Sequence, residues 1–236
     1  MLPLLLLGLS TVLAVQSAAP MLERRTFKAP DGSTMRYGIA VPADYDATRP
    51  RPLVVALHPG GGGTPYYGDG FMRSIFFPGL SELGPVMIAP DAPEGNWINA
   101  RAEQSVMALM VAVADEFAID RRRILVVGFS LGGRGAWYLS ARHTDRFSAA
   151  IVMAGRSEEP LADLARIPTY VIHSRDDQVV PFAQAQDRVR ALERMGRPIR
   201  FDPLAGVGHY DMGDYLPALR RSARWVGERW TPASRP

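Results

Sequence analysis

The chain of 236 residues contains no cysteine, so disulfide bonds, thiolate nucleophiles and cysteine-ligated metals are excluded. It also lacks the HExxH pair of zinc enzymes, carboxylates at metal-ligand spacing, and a Gly-Lys-Ser/Thr after the four glycines at 60–63. No basic run is interleaved with aromatic residues, although the formal net charge is +3 and almost every cation is arginine. We therefore expect no metal, no bound cofactor and no nucleic-acid partner.

Charge is also missing from the first twenty residues. An apolar stretch over 2–15, followed by Ser17, Ala18 and Ala19, is typical of a secretory signal peptide and is short for a membrane span. Residues 1–19 are therefore predicted to be a leader, which implies a secreted or periplasmic protein without a stable membrane span after processing. The basic start of such a leader is absent, and translation from Met21 would instead give a cytoplasmic protein.

From residue 20 onwards, short apolar runs alternate with helical patterns. Continuous apolar runs separated by helices are typical of a buried, largely parallel sheet, and "PDGS" between the first two runs suits a hairpin turn. The predicted strands are 25–28, 35–41, 53–57, 86–89, 124–128, 149–153, 169–173 and 199–202. The predicted helices are 101–117, 132–142, 182–195 and 213–230.

This order predicts one α/β domain over residues 20–236, with about eight mostly parallel strands and helices on both faces of the sheet. About fifteen residues, "AGRSEEPLADLARIP", separate two of the later strands. That connection is too short for an independent cap domain, so we expect the carboxyl edge of the sheet to be comparatively open. The sequence does not indicate an oligomeric state.

Polar side chains that follow the strands supply the candidate chemistry. In a parallel sheet, reactive groups collect beyond the carboxyl ends of the strands. Ser130 follows one predicted strand, Asp176 and Asp177 follow another, and His209 follows the last. A serine hydroxyl needs a neighbouring base to become a nucleophile, histidine suits that role near neutral pH, and a carboxylate orients the histidine.

The serine lies in "GFSLGG", between Gly128 and Gly132, where a strand meets a helix. With "HSRDDQVVP" and "GVGHYD" later in the chain, this motif resembles the α/β-hydrolase superfamily and its nucleophile elbow. The stretch "IDRRRILVVGFSLGGRGAWYLSARHTDRFSAAIVMAG" resembles the phospholipase/carboxylesterase and polyhydroxybutyrate-depolymerase-like esterases, and is also similar to the catalytic domain of prolyl-oligopeptidase relatives. The resemblance covers roughly residues 35–230.

The resemblance implies a role for each matched residue. Ser130 corresponds to the nucleophile and His209 to the general base, while the family's acid falls on Asp177, ahead of Val180-Pro181. Asp176 is the competing acid, and Glu158 or Glu159 would be next. Ser174 stands where the family usually has glycine.

Two backbone N–H groups are expected to form an oxyanion hole. One belongs to Leu131, the residue after the nucleophile, and the other to the loop "HPGGGG". Pro59 has no N–H, so Gly60 is the expected second donor, with Gly61 as the alternative.

Other residues near this edge receive supporting roles. Trp97, Tyr66 and Phe182 are candidates for substrate binding, although packing beneath a loop is an equal alternative for Trp97. We expect His58 to shape the oxyanion loop and His173 to support the loop that carries Asp177.

The resemblance implies a serine hydrolase that cleaves carboxylic esters, with short-chain or accessible acyl groups, through an acyl-enzyme. The substrate would be a small molecule or a polymer-linked ester. A prolyl-oligopeptidase-like peptidase, an acyltransferase and a catalytically silent binding protein are the alternatives.

Overall fold

A computed structural model describes residues 19–61 and 63–231, in which eight strands form a sheet of order β1-β2-β4-β3-β5-β6-β7-β8. The strands are β1 (Met21–Lys28), β2 (Thr34–Val41), β3 (Arg51–Leu57), β4 (Val86–Pro90), β5 (Ile119–Phe129), β6 (Ala149–Met153), β7 (Thr169–Ser174) and β8 (Ile199–Leu204). The β1–β2 and β2–β4 pairs are antiparallel, and every other pair is parallel. The predicted α/β class and mostly parallel sheet are confirmed.

Helices cover both faces of this sheet. They are α1 (Tyr67–Phe71), α2 (Phe77–Leu80), α3 (Ala100–Glu116), α4 (Leu131–Arg142), α5 (Phe182–Arg194) and α6 (Leu216–Trp230). A π-helical turn (Met72–Phe76) joins α1 to α2, and 3-10 turns lie at Ser81–Leu83, Pro93–Gly95 and Met212–Tyr215.

The alternation of side chains along β3 explains the two hydrophobic layers. Leu53, Val55 and Leu57 pack on the face that carries α3, α4 and α5. Val54 and Ala56 point to the opposite face, where they join residues of α6 and of the 71–80 segment. Because successive strand residues point to opposite faces, an unbroken apolar run is what a strand buried on both sides requires.

The segment between β3 and β4 differs from the sequence-based expectation. None of the predicted helices falls between these strands, but residues 67–83 form consecutive helical turns. A Cβ on Gly79 would lie 2.4 Å from Leu219 Cδ2, so close packing against α6 favours helix here in spite of weak local propensity.

The parallel strands β3 to β8 place their carboxyl ends along one edge of the sheet. Ser130 follows β5, Asp177 follows β7 and His209 follows β8 at this edge. Within residues 19–61 and 63–231, no helix is long and apolar enough to cross a membrane. The predicted leader lies outside the described residues except for residue 19.

Candidate active site

Ser130 lies on a sharp turn between β5 and α4. Its backbone angles are φ 53° and ψ −114°, in the positive-φ region that a side chain rarely adopts, which typically costs about 1–3 kcal/mol. The turn requires glycine on both sides. A Cβ on Gly128 would lie 2.0 Å from the carbonyl oxygen of Gly132, and a Cβ on Gly132 would lie 1.9 Å from that of Leu57.

The turn presents the Ser130 hydroxyl to a buried histidine. Ser130 Oγ lies 2.9 Å from His209 Nε2, and His209 Nδ1 lies 2.8 Å from Asp177 Oδ2. The Gln178 side chain accepts the backbone N–H of His209 at 3.1 Å. Since a carboxylate only accepts, the Nδ1 atom carries the proton, which leaves Nε2 free to accept the serine proton.

The loop after β7 holds the carboxylate of Asp177 in place. Asp177 Oδ1 accepts the backbone N–H groups of Val179 at 2.9 Å and of Val180 at 2.7 Å. The buried His173 ring donates from Nε2 to the Val180 carbonyl at 2.9 Å and lies 3.6 Å from Asp177 Oδ2. Burial lowers the pKa of His173, which favours its neutral form. His173 therefore has the supporting position expected from the sequence.

The competing acids have other partners. Asp176 Oδ2 accepts the backbone N–H of Gly206 at 2.6 Å and so links the loop after β7 to the loop that carries His209.

Glu158 forms ion pairs with Arg134 at 2.8 Å and with Arg156 at 3.1 Å. Glu159 accepts the Ser157 hydroxyl at 2.6 Å. Of the four candidate acids, Asp177 is the one that contacts His209.

The loop after β3 lies against the first residue of α4. A Cβ on Gly60 would be 3.8 Å from Leu131 Cβ, so the two expected oxyanion donors are neighbours. Among the described residues, the loops and turns contain no backbone hydrogen bond in which the N–H of Gly60 or of Leu131 donates to a carbonyl oxygen. The first N–H groups of a helix have no partner inside the helix and favour negative charge. The two N–H groups are thus neighbours beside the Ser130 turn, and their role as oxyanion donors stays a prediction.

A cavity of about 210 Å³ opens beside Ser130. Part of its lining is apolar and comes from Leu131, Val179, Val180 and Pro181. The guanidinium groups of Arg134 and Arg156 also line it. A larger cavity of about 580 Å³, between the loop after β6 and α5, shares Arg156 with it. Apart from Leu131, this lining was not expected from the sequence, because Arg134, Arg156 and the residues after Asp177 meet here only through tertiary packing.

The structure does not place the three residues expected to bind substrate in this cavity. Trp97 is 1% exposed, and its indole N–H donates to the His58 carbonyl at 3.0 Å, so it packs beneath the loop. The Tyr66 N–H donates to Asp91, and its ring lies under the Arg24 guanidinium. Phe182 stacks on Phe201, with ring centroids 5.6 Å apart. Trp97 is thus buried within the fold, whereas Tyr66 and Phe182 are partly exposed and lie outside the lining of this cavity.

Metal binding has no candidate within the part of the chain that the structure describes. No group of three or more histidine and carboxylate side chains there is arranged to hold an ion. The chemistry available at the site is that of a hydroxyl, an imidazole, a carboxylate and backbone N–H groups.

Comparisons with known proteins agree with this geometry. The chain is 27% identical over 157 residues to a probable feruloyl esterase C of Aspergillus niger, covering 62% of this chain and 56% of that protein. It is 26% identical over 156 residues to feruloyl esterase C of Emericella nidulans, covering 61% and 56%. The chain thus spans about half the length of the curated relatives it matches.

Among solved structures, a thermostable esterase superposes with a TM-score of 0.73 at 25% identity, over 88% of this chain and 62% of that one. These matches confirm the expected resemblance to α/β-hydrolase esterases. A family model matches residues 94–213, just over half of the chain, and this segment includes Ser130, Asp177 and His209. The chain therefore belongs to the dienelactone hydrolase family, which was not among the families that its motifs resemble.

Proposed function

We propose that this protein hydrolyses carboxylic esters through an acyl-enzyme on Ser130, with His209 as general base and Asp177 as its orienting acid. The observation that carries the proposal is the continuous hydrogen-bonded series, 2.9 Å from Ser130 Oγ to His209 Nε2 and 2.8 Å from His209 Nδ1 to Asp177 Oδ2.

In the first half of the reaction, Ser130 Oγ attacks the ester carbonyl carbon while His209 Nε2 accepts the hydroxyl proton. The imidazolium that forms keeps its Nδ1–H on Asp177, whose charge stabilises it. The tetrahedral intermediate then collapses. The carbon–oxygen bond to the alcohol breaks, and His209 donates its proton to the departing oxygen.

Negative charge develops on the former carbonyl oxygen. The N–H groups of Leu131 and Gly60 would hold this oxyanion, and the amino terminus of α4 adds a favourable dipole. One such donor typically contributes about 2.7–4 kcal/mol to lowering the barrier.

The second half repeats the same steps with water. His209 removes a proton from a water molecule, whose oxygen attacks the acyl carbon. The bond to Ser130 Oγ breaks, and the serine recovers its proton from His209. The products are the free acid and the regenerated enzyme.

The cavity and the relatives support a substrate class. The cavity beside Ser130 accepts an acyl or alcohol group of modest size, with an apolar wall and two guanidinium groups. The curated relatives are named feruloyl esterases, so we assign aromatic acyl esters, including polymer-linked ones, as the first substrates to test.

The direct test is turnover of p-nitrophenyl butyrate by purified Ser130→Ala protein, with Ser81→Ala, an exposed serine, as the matched control. We expect Ser130→Ala to lose kcat by about a thousandfold or more and Ser81→Ala to match the wild type. A fluorophosphonate probe should label the wild type and not Ser130→Ala. Wild-type turnover by Ser130→Ala would refute the assignment. An unlabelled, inactive wild type would instead favour a binding protein.

We also propose that residues 1–19 direct export. Expression of the full chain with a carboxyl-terminal tag, followed by amino-terminal sequencing of the exported fraction, should give a protein that begins near residue 20. Retention of the intact chain in the cytoplasm would refute this proposal.

A further inference from the structure

His58 occupies the position directly after β3, beside the loop that carries Gly60. Its side chain is buried, with the residue 3% exposed. Both ring nitrogens have partners: Nδ1 lies 2.6 Å from the Pro59 carbonyl oxygen, and Nε2 lies 2.9 Å from the backbone nitrogen of Ala92.

These two partners determine the tautomer of the ring. A backbone N–H can only donate, so Nε2 is the unprotonated acceptor of the Ala92 N–H. The ring proton therefore resides on Nδ1 and is donated to the Pro59 carbonyl. Burial lowers the pKa of His58, against smaller opposing effects of the hydrogen bond to Pro59 and of the Asp91 charge, and so supports the neutral ring.

The ring also packs against two aromatic neighbours. Tyr67 and Trp97 pack edge-on against it, with centroids 4.9 Å and 5.1 Å away. The Trp97 indole N–H donates to the His58 carbonyl. Trp97 therefore takes part in the same arrangement, although it does not line the cavity.

The Pro59 carbonyl belongs to the same peptide group as the Gly60 N–H. That peptide is trans, so its N–H points opposite to its carbonyl. When the carbonyl is directed at His58, the N–H of Gly60 is directed away from the ring. Glycine permits many backbone conformations, so sterics alone do not determine which way this peptide faces.

We propose that His58 is a positioning residue that directs the Gly60 N–H into the oxyanion site by holding the Pro59 carbonyl. The proposal rests on the proposed function, because it assigns Gly60 as an oxyanion donor. Without the His58 bond, the peptide can turn over and direct a carbonyl oxygen at the developing negative charge.

Two conservative replacements of His58 allow the two hydrogen bonds of the ring to be tested one at a time. An asparagine amide nitrogen reaches the position of Nδ1, so His58→Asn can keep the bond to Pro59 while losing the bond to Ala92. A glutamine side-chain oxygen reaches the position of Nε2, so His58→Gln can accept from Ala92 while losing the bond to Pro59. Each variant loses one bond, and both should lose similar thermal stability.

We expect His58→Gln to lower kcat for p-nitrophenyl butyrate about 10²–10³-fold with less than about threefold change in KM. His58→Asn should stay within about tenfold of the wild-type kcat. Inhibition by a trifluoromethyl ketone, whose adduct places an oxyanion in the site, should weaken in parallel with kcat.

Equal loss of kcat in His58→Gln and His58→Asn, or a loss that follows the melting temperature, would overturn the positioning role. Ser130→Ala is assayed alongside. If Ser130→Ala is inactive and the two His58 variants are equal, only the role of His58 fails. If Ser130→Ala is active, the proposed function fails and the role of His58 fails with it.

Discussion

Gly132 lies so close to β3 that a Cβ at this position would fall 1.9 Å from the carbonyl oxygen of Leu57. No side chain fits between α4 and the sheet at this point. The contact brings the start of α4, with the Leu131 N–H, next to the loop that carries Gly60.

We therefore expect Gly132→Ala to lower the free energy of unfolding by about 1–3 kcal/mol or more, because backbone atoms must move apart. Activity should fall with it, since the turn at Ser130 must shift. Gly70→Ala is the control, because a Cβ there meets nothing within 4 Å. Urea denaturation measures both variants, and equal stability of the two would contradict the packing argument.

The two adjacent aspartates after β7 should differ sharply in activity. Asp177→Asn removes the charge that stabilises the imidazolium and disturbs the acceptor of the Val179 and Val180 N–H groups. We expect kcat for p-nitrophenyl butyrate to fall by about 10³–10⁴-fold. Asp176→Asn retains an oxygen for the Gly206 N–H and should stay within about tenfold of the wild type. The reverse order would transfer the acid role to Asp176.

Two buried histidines should make stability depend on pH. Burial lowers the pKa of His58 and of His173 below the usual value of about 6.5. Below that pH the unfolded chain takes up protons that the folded chain does not, so stability is complete above about pH 6.5 and falls as the pH drops.

The free energy of unfolding should decrease from pH 7 to pH 5, by up to about 1.4 kcal/mol per pH unit for each histidine. Urea denaturation across this range measures the slope, and His173→Gln should reduce it. An unchanged slope in that variant would show that His173 titrates alike in the folded and unfolded chain.

An exposed aromatic ring lies beside the histidine that contacts Ser130. Tyr210 is 70% exposed, and its ring packs edge-on against His209 at 5.4 Å. We expect Tyr210→Ala to lower kcat/KM for p-nitrophenyl cinnamate about 2–10-fold, as the loss of one aromatic contact predicts, and to change p-nitrophenyl acetate less. Met195→Ala, an exposed apolar residue on the loop after α5, should change neither. Equal effects on both esters would exclude an aromatic contact at Tyr210.

The central strands could be predicted because each is a continuous apolar run buried on both faces, as Leu53–Leu57 and Ala149–Met153 illustrate. The outer strands β1 and β8 are only partly buried. The shared edge of the parallel strands brought Ser130, the Asp176–Asp177 pair and His209 together as candidates. The resemblance to α/β-hydrolases then selected Asp177 ahead of Val180-Pro181. The helical segment at residues 67–83 could not be predicted, because Gly79 and its neighbours are weak helix formers and Gly79 packs closely against Leu219 of α6.

Substrate contacts were the least predictable part of the site. Trp97 is aromatic and follows β4 near the correct edge, yet its indole N–H is already committed to the His58 carbonyl. Arg134 and Arg156 line the cavity because α4 and the loop after β6 converge beside Ser130. Such convergence depends on tertiary packing, which no local pattern reports.

The proposed mechanism requires a covalent intermediate on Ser130. Wild-type protein quenched in acid during turnover of p-nitrophenyl butyrate should carry one added butyryl group, located by peptide mass spectrometry on the fragment that contains Ser130. His209→Ala should show no such adduct under the same conditions. An active wild type without the adduct at any quench time, or with the adduct on another residue, would contradict the account.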